Sequence, residues 1–331
     1  MRVLLTGGTG LVGSHVAERL VRDGHRVRAV VRPDAETEFL RGLGAELRPG
    51  DVTRPETLAA AFDACDGLVH AAAMVVARAS EEAYHRVNVA GTEAVLQAAI
   101  RAGVTRAVHV SSVAVYGGPE ALARGSIDET APTDDPLPTG EYYARSKRES
   151  EAVAWRYAAE SSLQVVVIRP DVVYGERDRA VIPRLVRYLD RPITLTVGDG
   201  RLDLPLVYAG NVADGIVRAL AAPGAAGRAY NLANDFPVTQ RGFFELVAGA
   251  LRRRPRFIAL PYRLADAAAA VAETLARLRG GPAPALNRRR VAFLGLGNPF
   301  VSERARRELG WSPAVDHPEG VRRAVAWHLS G

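Results

Sequence analysis

The chain has 331 residues, 48% hydrophobic and 6% aromatic, with 43 basic against 37 acidic side chains and a formal net charge of +6. That length suits one large or two coupled globular domains with a buried core, and no stretch approaches the ~20 apolar residues of a membrane span. The single cysteine, Cys65, excludes an internal disulfide and a cysteine-based metal cluster, and it fits a reducing compartment. Arginine is spread throughout alongside the acids, and the clusters at 252–254 and 288–290 are short and lack interleaved aromatics, so nucleic acid is not an expected partner.

From the N-terminus, residues 3–6 form a first strand, too short for a signal peptide and running directly into glycines. The loop Gly7-Gly8-Thr9-Gly10-Leu11-Val12-Gly13 places Gly7, Gly10 and Gly13 at G-x-x-G-x-x-G spacing, ahead of a helix expected over 11–23. Glycine permits the tight turn and lets backbone amides approach a pyrophosphate, and the helix N-terminus adds positive potential. A bare strand-to-helix turn would use the same glycines. The weight lies in the strand before and the helix after.

A second strand is expected over 26–31, followed by Arg32-Pro33 with no carboxylate before Asp34. In a doubly wound fold an acid at this point binds the adenosine 2′-hydroxyl and a basic residue accepts a 2′-phosphate. NADP is therefore the preferred cofactor. NAD is the alternative, in which Arg32 only stacks on adenine. Asp51-Val52 ends a further short extended segment, placed to meet the adenine edge or else to cap a helix over 55–63.

Strands over 67–70, 107–111 and 165–168 alternate with helices over 81–102 and 142–160, with Gly24 and Gly103 as helix stops. This is the pattern of parallel strands joined by crossover helices. Beyond about residue 175 frequent prolines punctuate shorter elements. The expected fold is α/β: a Rossmann doubly wound parallel sheet over residues 1–175 that carries the catalytic residues, and a smaller, irregular, mainly substrate-binding part over 176–331 sharing one body with it. An Ala-rich helix at about 262–279 packs on the body or walls an apolar pocket; Asp266, Glu273 and Arg277 argue against its insertion in a membrane.

Within the helix over 142–160 stands Lys147, the only lysine in the chain, four residues after Tyr143. At that spacing the two side chains share one helix face. A compact, movable ammonium can hold a phenol near ionisation and still donate to a neighbouring hydroxyl, for which a planar guanidinium is the wrong shape.

Together with the glycine loop, the segments Gly50-Asp51-Val52, His70-Ala71-Ala72-Ala73, Asn88-Val89-Ala90-Gly91-Thr92, Ser111-Ser112-Val113-Ala114-Val115-Tyr116-Gly117, Tyr143-x-x-x-Lys147 and Arg169-Pro170 run in order through nearly the whole chain. In this the chain resembles the extended short-chain dehydrogenase/reductase family. The resemblance implies that Ser112 hydrogen-bonds the substrate oxygen, that Tyr143 is the acid/base, and that Lys147 binds the nicotinamide ribose while lowering the tyrosine pKa. It implies that Asn88 holds a helix irregularity near the site, and that Thr9, Leu11, Val12, Asp51, Val52, Ala71, Ala72, Ala73, Pro170 and Val173 join the glycines around the cofactor. Ser111 is then the structural neighbour, and Tyr142, out of phase with Lys147, packs or lines the entrance.

Within the family, sugar-nucleotide dehydratases carry an acidic pair after the active-site Ser or Thr, where this chain has Val113-Ala114. Sugar-nucleotide epimerases commonly place an arginine shortly after a Gly-Asp-Gly turn to pair with the substrate diphosphate. Here the position after Gly198-Asp199-Gly200 is closer to Asp203, with Arg201 as the nearby substitute. That segment and the tail 302–311 are similar to the 3β-hydroxysteroid dehydrogenase-like and dihydroflavonol reductase-like branches. The resulting expectation is an NADP(H)-preferring oxidoreductase that interconverts a secondary alcohol and a ketone on a hydrophobic or polycyclic small molecule. It is expected to be cytoplasmic, without a metal, and homodimeric through the helices over 81–102 and 142–160. The alternatives are an NDP-sugar 4-epimerase with tightly bound NAD and a non-catalytic NADP-sensing regulator, against which stand Tyr143 and Lys147.

Overall fold

The computed structural model describes residues 1–75, 79–118, 125–233, 236–279 and 287–330. Its strands are β1 (Arg2–Thr6), β2 (Arg26–Val31), β3 (Glu46–Pro49), β4 (Gly67–His70), β5 (Arg106–Val110), β6 (Gln164–Pro170), β7 (Val172–Tyr174), β8 (Ile193–Val197), β9 (Leu206–Tyr208), β10 (Ala229–Leu232) and β11 (Arg256–Leu260). The first helices are α1 (Leu11–Arg22), α2 (Glu38–Gly42), α3 (Glu81–Tyr84), α4 (Gly91–Arg101) and α5 (Tyr142–Glu160). They are followed by α6 (Val181–Tyr188), α7 (Ala209–Ala221), α8 (Gln240–Ala250), α9 (Tyr262–Leu278), α10 (Arg288–Gly295), α11 (Glu303–Leu309) and α12 (His317–Ser330).

Seven strands form one parallel sheet in the order β10-β6-β5-β4-β1-β2-β3. A parallel sheet covered on both faces demands continuous apolar strands, and Val3, Leu4 and Leu5 are all fully buried. Leu5, Val16, Leu20, Ile216 and Trp311 fill one side, under α1 and α7. Leu4, Phe62, Leu68, Val95 and Val165 fill the other. The strand order reverses between β1 and β4, which opens a crevice at the carboxyl ends of the strands, the place where open α/β sheets bind their ligands.

Two expected helices are altered. Over 55–63 the chain makes two 3₁₀ turns, Pro55–Thr57 and Ala59–Ala61, closed by three-residue bonds from Leu58 N to the Pro55 carbonyl at 3.1 Å and from Ala61 N to the Leu58 carbonyl at 2.9 Å. Asp51 caps no helix there; its carboxylate closes a local turn by accepting from the N–H and hydroxyl of Thr53, each at 2.8 Å. The helix over 81–102 is interrupted by a π turn, His85–Ala90, between α3 and α4. The α5 span agrees with the expected one.

Past residue 175 the chain does not stay apart from the first sheet, since α7 packs on α1 and β10 becomes its edge strand beside β6. The remaining strands pair as two short parallel ladders, β7 with β9 and β8 with β11. They cover a third core built on Tyr174, Tyr208, Phe243 and Val321. Glu176 joins the two parts, accepting from the Tyr208 hydroxyl at 2.7 Å and lying 3.3 Å from His15 Nε2 of α1. Among the described residues no helix is long and apolar enough to cross a membrane, and no three potential metal ligands cluster.

Candidate active site

The glycine loop is held tightly against the end of β4. Gly7 has φ +72°, and a Cβ there would lie 2.5 Å from the Ala72 nitrogen; a Cβ on Gly13 would lie 2.1 Å from the Gly7 carbonyl oxygen. No side chain caps α1, and Thr9 and Gly10 are exposed. A 12-residue helix therefore presents its free N–H groups and positive end over a surface that only glycine leaves open. These residues fit the pyrophosphate of a dinucleotide.

Helix α5 packs with a polar face inward. Tyr143, Ser146, Lys147, Ser150 and Glu151 recur at helical spacing, and all but the half-buried Tyr143 are buried. Lys147 donates to the Val110 carbonyl at 2.8 Å, at the end of β5 and two residues before Ser112. Burial brings its pKa down to about 8, against a partial opposing effect from Glu151. That displacement corresponds to a cost on the order of 3 kcal/mol for keeping the amine charged in the fold.

The π turn sets Asn88 against this helix. Its amide accepts from Met74 N at 2.7 Å and donates to Met74 O at 3.1 Å and to Ser146 Oγ at 2.9 Å. Ser146 in turn donates to the Tyr143 carbonyl at 2.9 Å. Behind Lys147, His70 and His109 stack at 5.5 Å on the register-paired β4 and β5. Thr92 donates to Asn88 O at 2.6 Å, so its Oγ1 accepts from His70 Nε2 at 3.0 Å, and His70 Nδ1 accepts from Thr6 Oγ1 at 2.7 Å. Likewise Ser150 donates to Lys147 O at 3.0 Å and accepts from His109 Nε2 at 3.1 Å. The His70 ring, accepting at Nδ1, is thus neutral, while His109 Nδ1 is buried without a hydrogen-bond partner among the described residues. Burial first, then the Lys147 charge, lowers both, His70 to about 3.

Ser112 is half-buried and opens the 3₁₀ turn Val113–Tyr116, its Oγ accepting from Ala114 N at 3.2 Å. Ser111 is buried. Tyr116 ends the turn and is clamped from below: Arg169 donates to its hydroxyl at 2.9 Å and grips Glu151 of α5 through Nε at 3.0 Å and Nη2 at 2.6 Å. Burial pushes the Tyr116 phenol up to about 12, outweighing the Arg169 charge. Arg148 bridges α5 to the Val115 carbonyl at 2.7 Å. The Ser112 turn is therefore tied to the helix bearing Tyr143 and Lys147 by two independent arginines.

Elsewhere the expected residues divide. Arg32 is 64% exposed, its Nε 3.7 Å from Asp34, and it lies near enough to Asp51 to help hold that carboxyl below its ordinary range. For Asp51, burial acts in the opposite sense and is outweighed by the Thr53 hydrogen bonds and the Arg32 and Arg54 charges. Val52 is buried against Gly91. Ala71, Ala72 and Ala73 leave β4 half-buried beside the glycine loop, whereas Pro170 is buried at the end of β6 and Val173 lies within β7, half-buried against the first core. Tyr142 is half-buried at the start of α5. Arg201 is 85% exposed, 3.8 Å from Asp199, and Asp203 bridges to Thr239.

Residues 3–233 match the NAD dependent epimerase/dehydratase family. The chain belongs to that family. Over 325 residues it is 34% identical to the 4-hydroxy-2-methyl-3-oxo-4-farnesyl-3,4-dihydroquinoline-1-oxide ketoreductase of Stigmatella aurantiaca, covering 97% of this chain and 95% of that one. Over 346 residues it is 31% identical to a 3 beta-hydroxysteroid dehydrogenase/Delta 5→4-isomerase of Mycobacterium tuberculosis, covering 99% and 90%. The crystal structure of gox2253 superposes with a TM-score of 0.76 at 30% identity, covering 99% and 98%. As a member of the NAD dependent epimerase/dehydratase family with such relatives, the protein is an NAD(P)-dependent oxidoreductase of the extended short-chain dehydrogenase/reductase type.

Proposed function

We propose that the protein is an NADP(H)-preferring ketone reductase or secondary-alcohol dehydrogenase acting on a hydrophobic or polycyclic small molecule. The observation that carries this reading is the buried Lys147, hydrogen-bonded to the end of β5 next to the Ser112 turn and one helical turn from Tyr143. When bound, the nicotinamide supplies or accepts the hydride. Tyr143 gives its proton to the substrate oxygen in reduction and takes it back in oxidation. A free phenol titrates near 10, too high for a base at neutrality, and the adjacent Lys147 ammonium favours the phenolate. Ser112 donates to the same oxygen and steadies its developing charge. Asn88 acts indirectly, holding Ser146 and through it the turn of α5 that presents Tyr143.

The relatives' activities on a farnesylated ring system and on a hydroxysteroid support an apolar, ring-bearing substrate. Asp203 supports it as well, since a carboxylate after the Gly198-Asp199-Gly200 turn is unsuited to a sugar diphosphate. Arg32, at the end of β2 near Asp51, is the residue assigned to the 2′-phosphate. Residues beyond about 175 are assigned mainly to the substrate, apart from the returning α7 and β10 and the solvent-exposed outer sides of β8, β11 and α9, and a homodimer through the segment 81–102 and α5 belongs to the same proposal. The test is a panel of cyclic ketones and UDP-hexoses followed at 340 nm with NADPH and NADH. Steady NADPH consumption on a cyclic ketone is expected. A protein that consumes no nicotinamide on any ketone but changes the C4 configuration of a UDP-hexose is an epimerase, and the proposal fails.

A further inference from the structure

The outer side of the C-terminal part is apolar where a surface should be polar. Of the eleven large hydrophobic side chains exposed among the described residues, seven lie on one small unit made of β8, β11 and α9. On α9, Leu264 (60% exposed), Val271 (59%), Leu275 (44%) and Leu278 (79%) recur at helical spacing, with exposed Ala267 and Ala268 between them. The opposite side of the helix, Ala265 and Ala269, packs on Val197 of β8 and Val291 of α10. Val197 shares its strand face with Ile193 and Leu195, and Ile258 is paired with Leu195. Helix α9 thus covers one end of the ladder's outer face, and Ile193, Leu195 and Ile258 continue the same face uncovered.

The charges are arranged to match. The acids of α9 are turned away from its apolar stripe: Asp266 accepts from Arg288 Nε at 2.9 Å and Glu273 from Arg288 N at 2.9 Å, both on the α10 side. Arg191 precedes β8, Arg256 lies on the outer face of β11, and Arg263 and Arg279 bracket α9. All four are exposed, and none is paired with a carboxylate among the described residues. An apolar stripe on a helix rimmed by free arginines, in a chain of net charge +6, is the composition of an element that lies in a lipid interface rather than across it. A second copy is the poorer occupant. Helix α9, about 25 Å long, pairing with itself would cover much less than the ~800 Å² per partner of a stable interface, and would bring the unpaired arginines of both copies together.

We propose that this surface docks the protein on an anionic bilayer, with α9 lying in the plane of the interface and the uncovered face of the β8–β11 ladder beside it. The inference does not rest on the proposed reaction. The full chain is to be sedimented with vesicles of phosphatidylcholine, with and without phosphatidylglycerol, at low and high ionic strength. Binding is expected only with phosphatidylglycerol, and weaker in salt. The paired change Val271→Gln and Leu275→Gln, and separately Arg256→Gln with Arg263→Gln and Arg279→Gln, should each lower vesicle partition by about tenfold or more, with unchanged circular dichroism and unchanged turnover of a water-soluble ketone in the absence of lipid. Failure of the natural chain to sediment with either vesicle overturns the proposal, as does undiminished binding by both variants. So does a dimer in light scattering that the Val271→Gln, Leu275→Gln variant abolishes while vesicles go unbound. The lipid-free ketone assay keeps any such failure separate from the reductase reading.

Discussion

Two regions of this molecule break the rule that polar groups face water and apolar groups face the core, and they break it in opposite directions. Under α5 a lysine, two histidines, two serines, a glutamate and an arginine are buried together; on α9 leucines and a valine stand in solvent. Buried polar groups and exposed apolar stripes are the informative exceptions to residue partition. In the first region the polar contacts hold Lys147 at the end of β5 and tie the Ser112 turn to the helix that bears Tyr143. In the second, no described residue of the chain covers the exposed side chains. Burial of charge marks where chemistry is done, and exposure of apolar surface marks where another phase or partner is met.

The sharpest break of this comparison is at its chemical end. Tyr143→Phe should lower kcat for ketone reduction by about a thousandfold and leave NADPH binding, read by fluorescence, nearly unchanged; retained turnover means that another group moves the proton. Next comes the buried amine. With its folded pKa lowered to about 8, Lys147 is charged at burial cost below that pH, and the cost is relieved as pH rises from there toward its unfolded value near 10.5. The stability difference between the cofactor-free protein and Lys147→Met should therefore change by on the order of 3 kcal/mol in favour of the natural chain between pH 7 and 10. A difference that stays flat with pH would show an ordinary lysine.

The stacked histidines follow the same sign at lower pH. Neutral in the fold and lowered by burial, they contribute stability above their unfolded pKa near 6.5 that is lost as pH falls toward the folded values, about 3 for His70. Denaturation midpoints should drop on acidification from pH 6.5, and the drop should be shallower in His109→Asn; identical slopes would mean that His109 is not held neutral. Smaller again is Arg32→Ala, which should weaken NADPH about tenfold and NADH little. Equal losses reject the phosphate role. At the far end, the Val271→Gln, Leu275→Gln pair should move thermal stability by no more than about 0.5 kcal/mol. A larger loss would mean that α9 packs on something within its own chain.

Much of the active region was legible because its elements are local. The glycine loop announces itself by spacing, and Tyr143 and Lys147 by a four-residue interval on one helix. The π turn at Asn88 was expected, as a helix irregularity, only through the family resemblance, and its geometry depends on Met74 and Ser146 arriving from other segments. The polar stripe Ser146, Ser150 and Glu151 stood in the sequence at the same period as Tyr143 and Lys147, but it reads as a solvated face until His109 and Arg169 are placed under it. The 55–63 segment keeps a helical burial pattern, with Leu58, Ala61, Phe62 and Cys65 inward, but closes it with 3₁₀ turns, which apolar spacing does not distinguish from an α-helix.

By itself the chain's order of residues determined the parallel α/β plan, the dinucleotide class of cofactor and the Tyr143 and Lys147 pair, since these follow from periodicity, glycine sterics and a short interval along one helix, while Ser112 and Asn88 came from the family resemblance. Tertiary structure alone decided that residues 209–232 return to the first sheet, that Lys147 is buried rather than solvated, and that α9 turns its leucines outward. Each of these depends on which distant segment covers a given face, and a linear pattern of apolar residues is the same whether the face is met by protein, by lipid or by water.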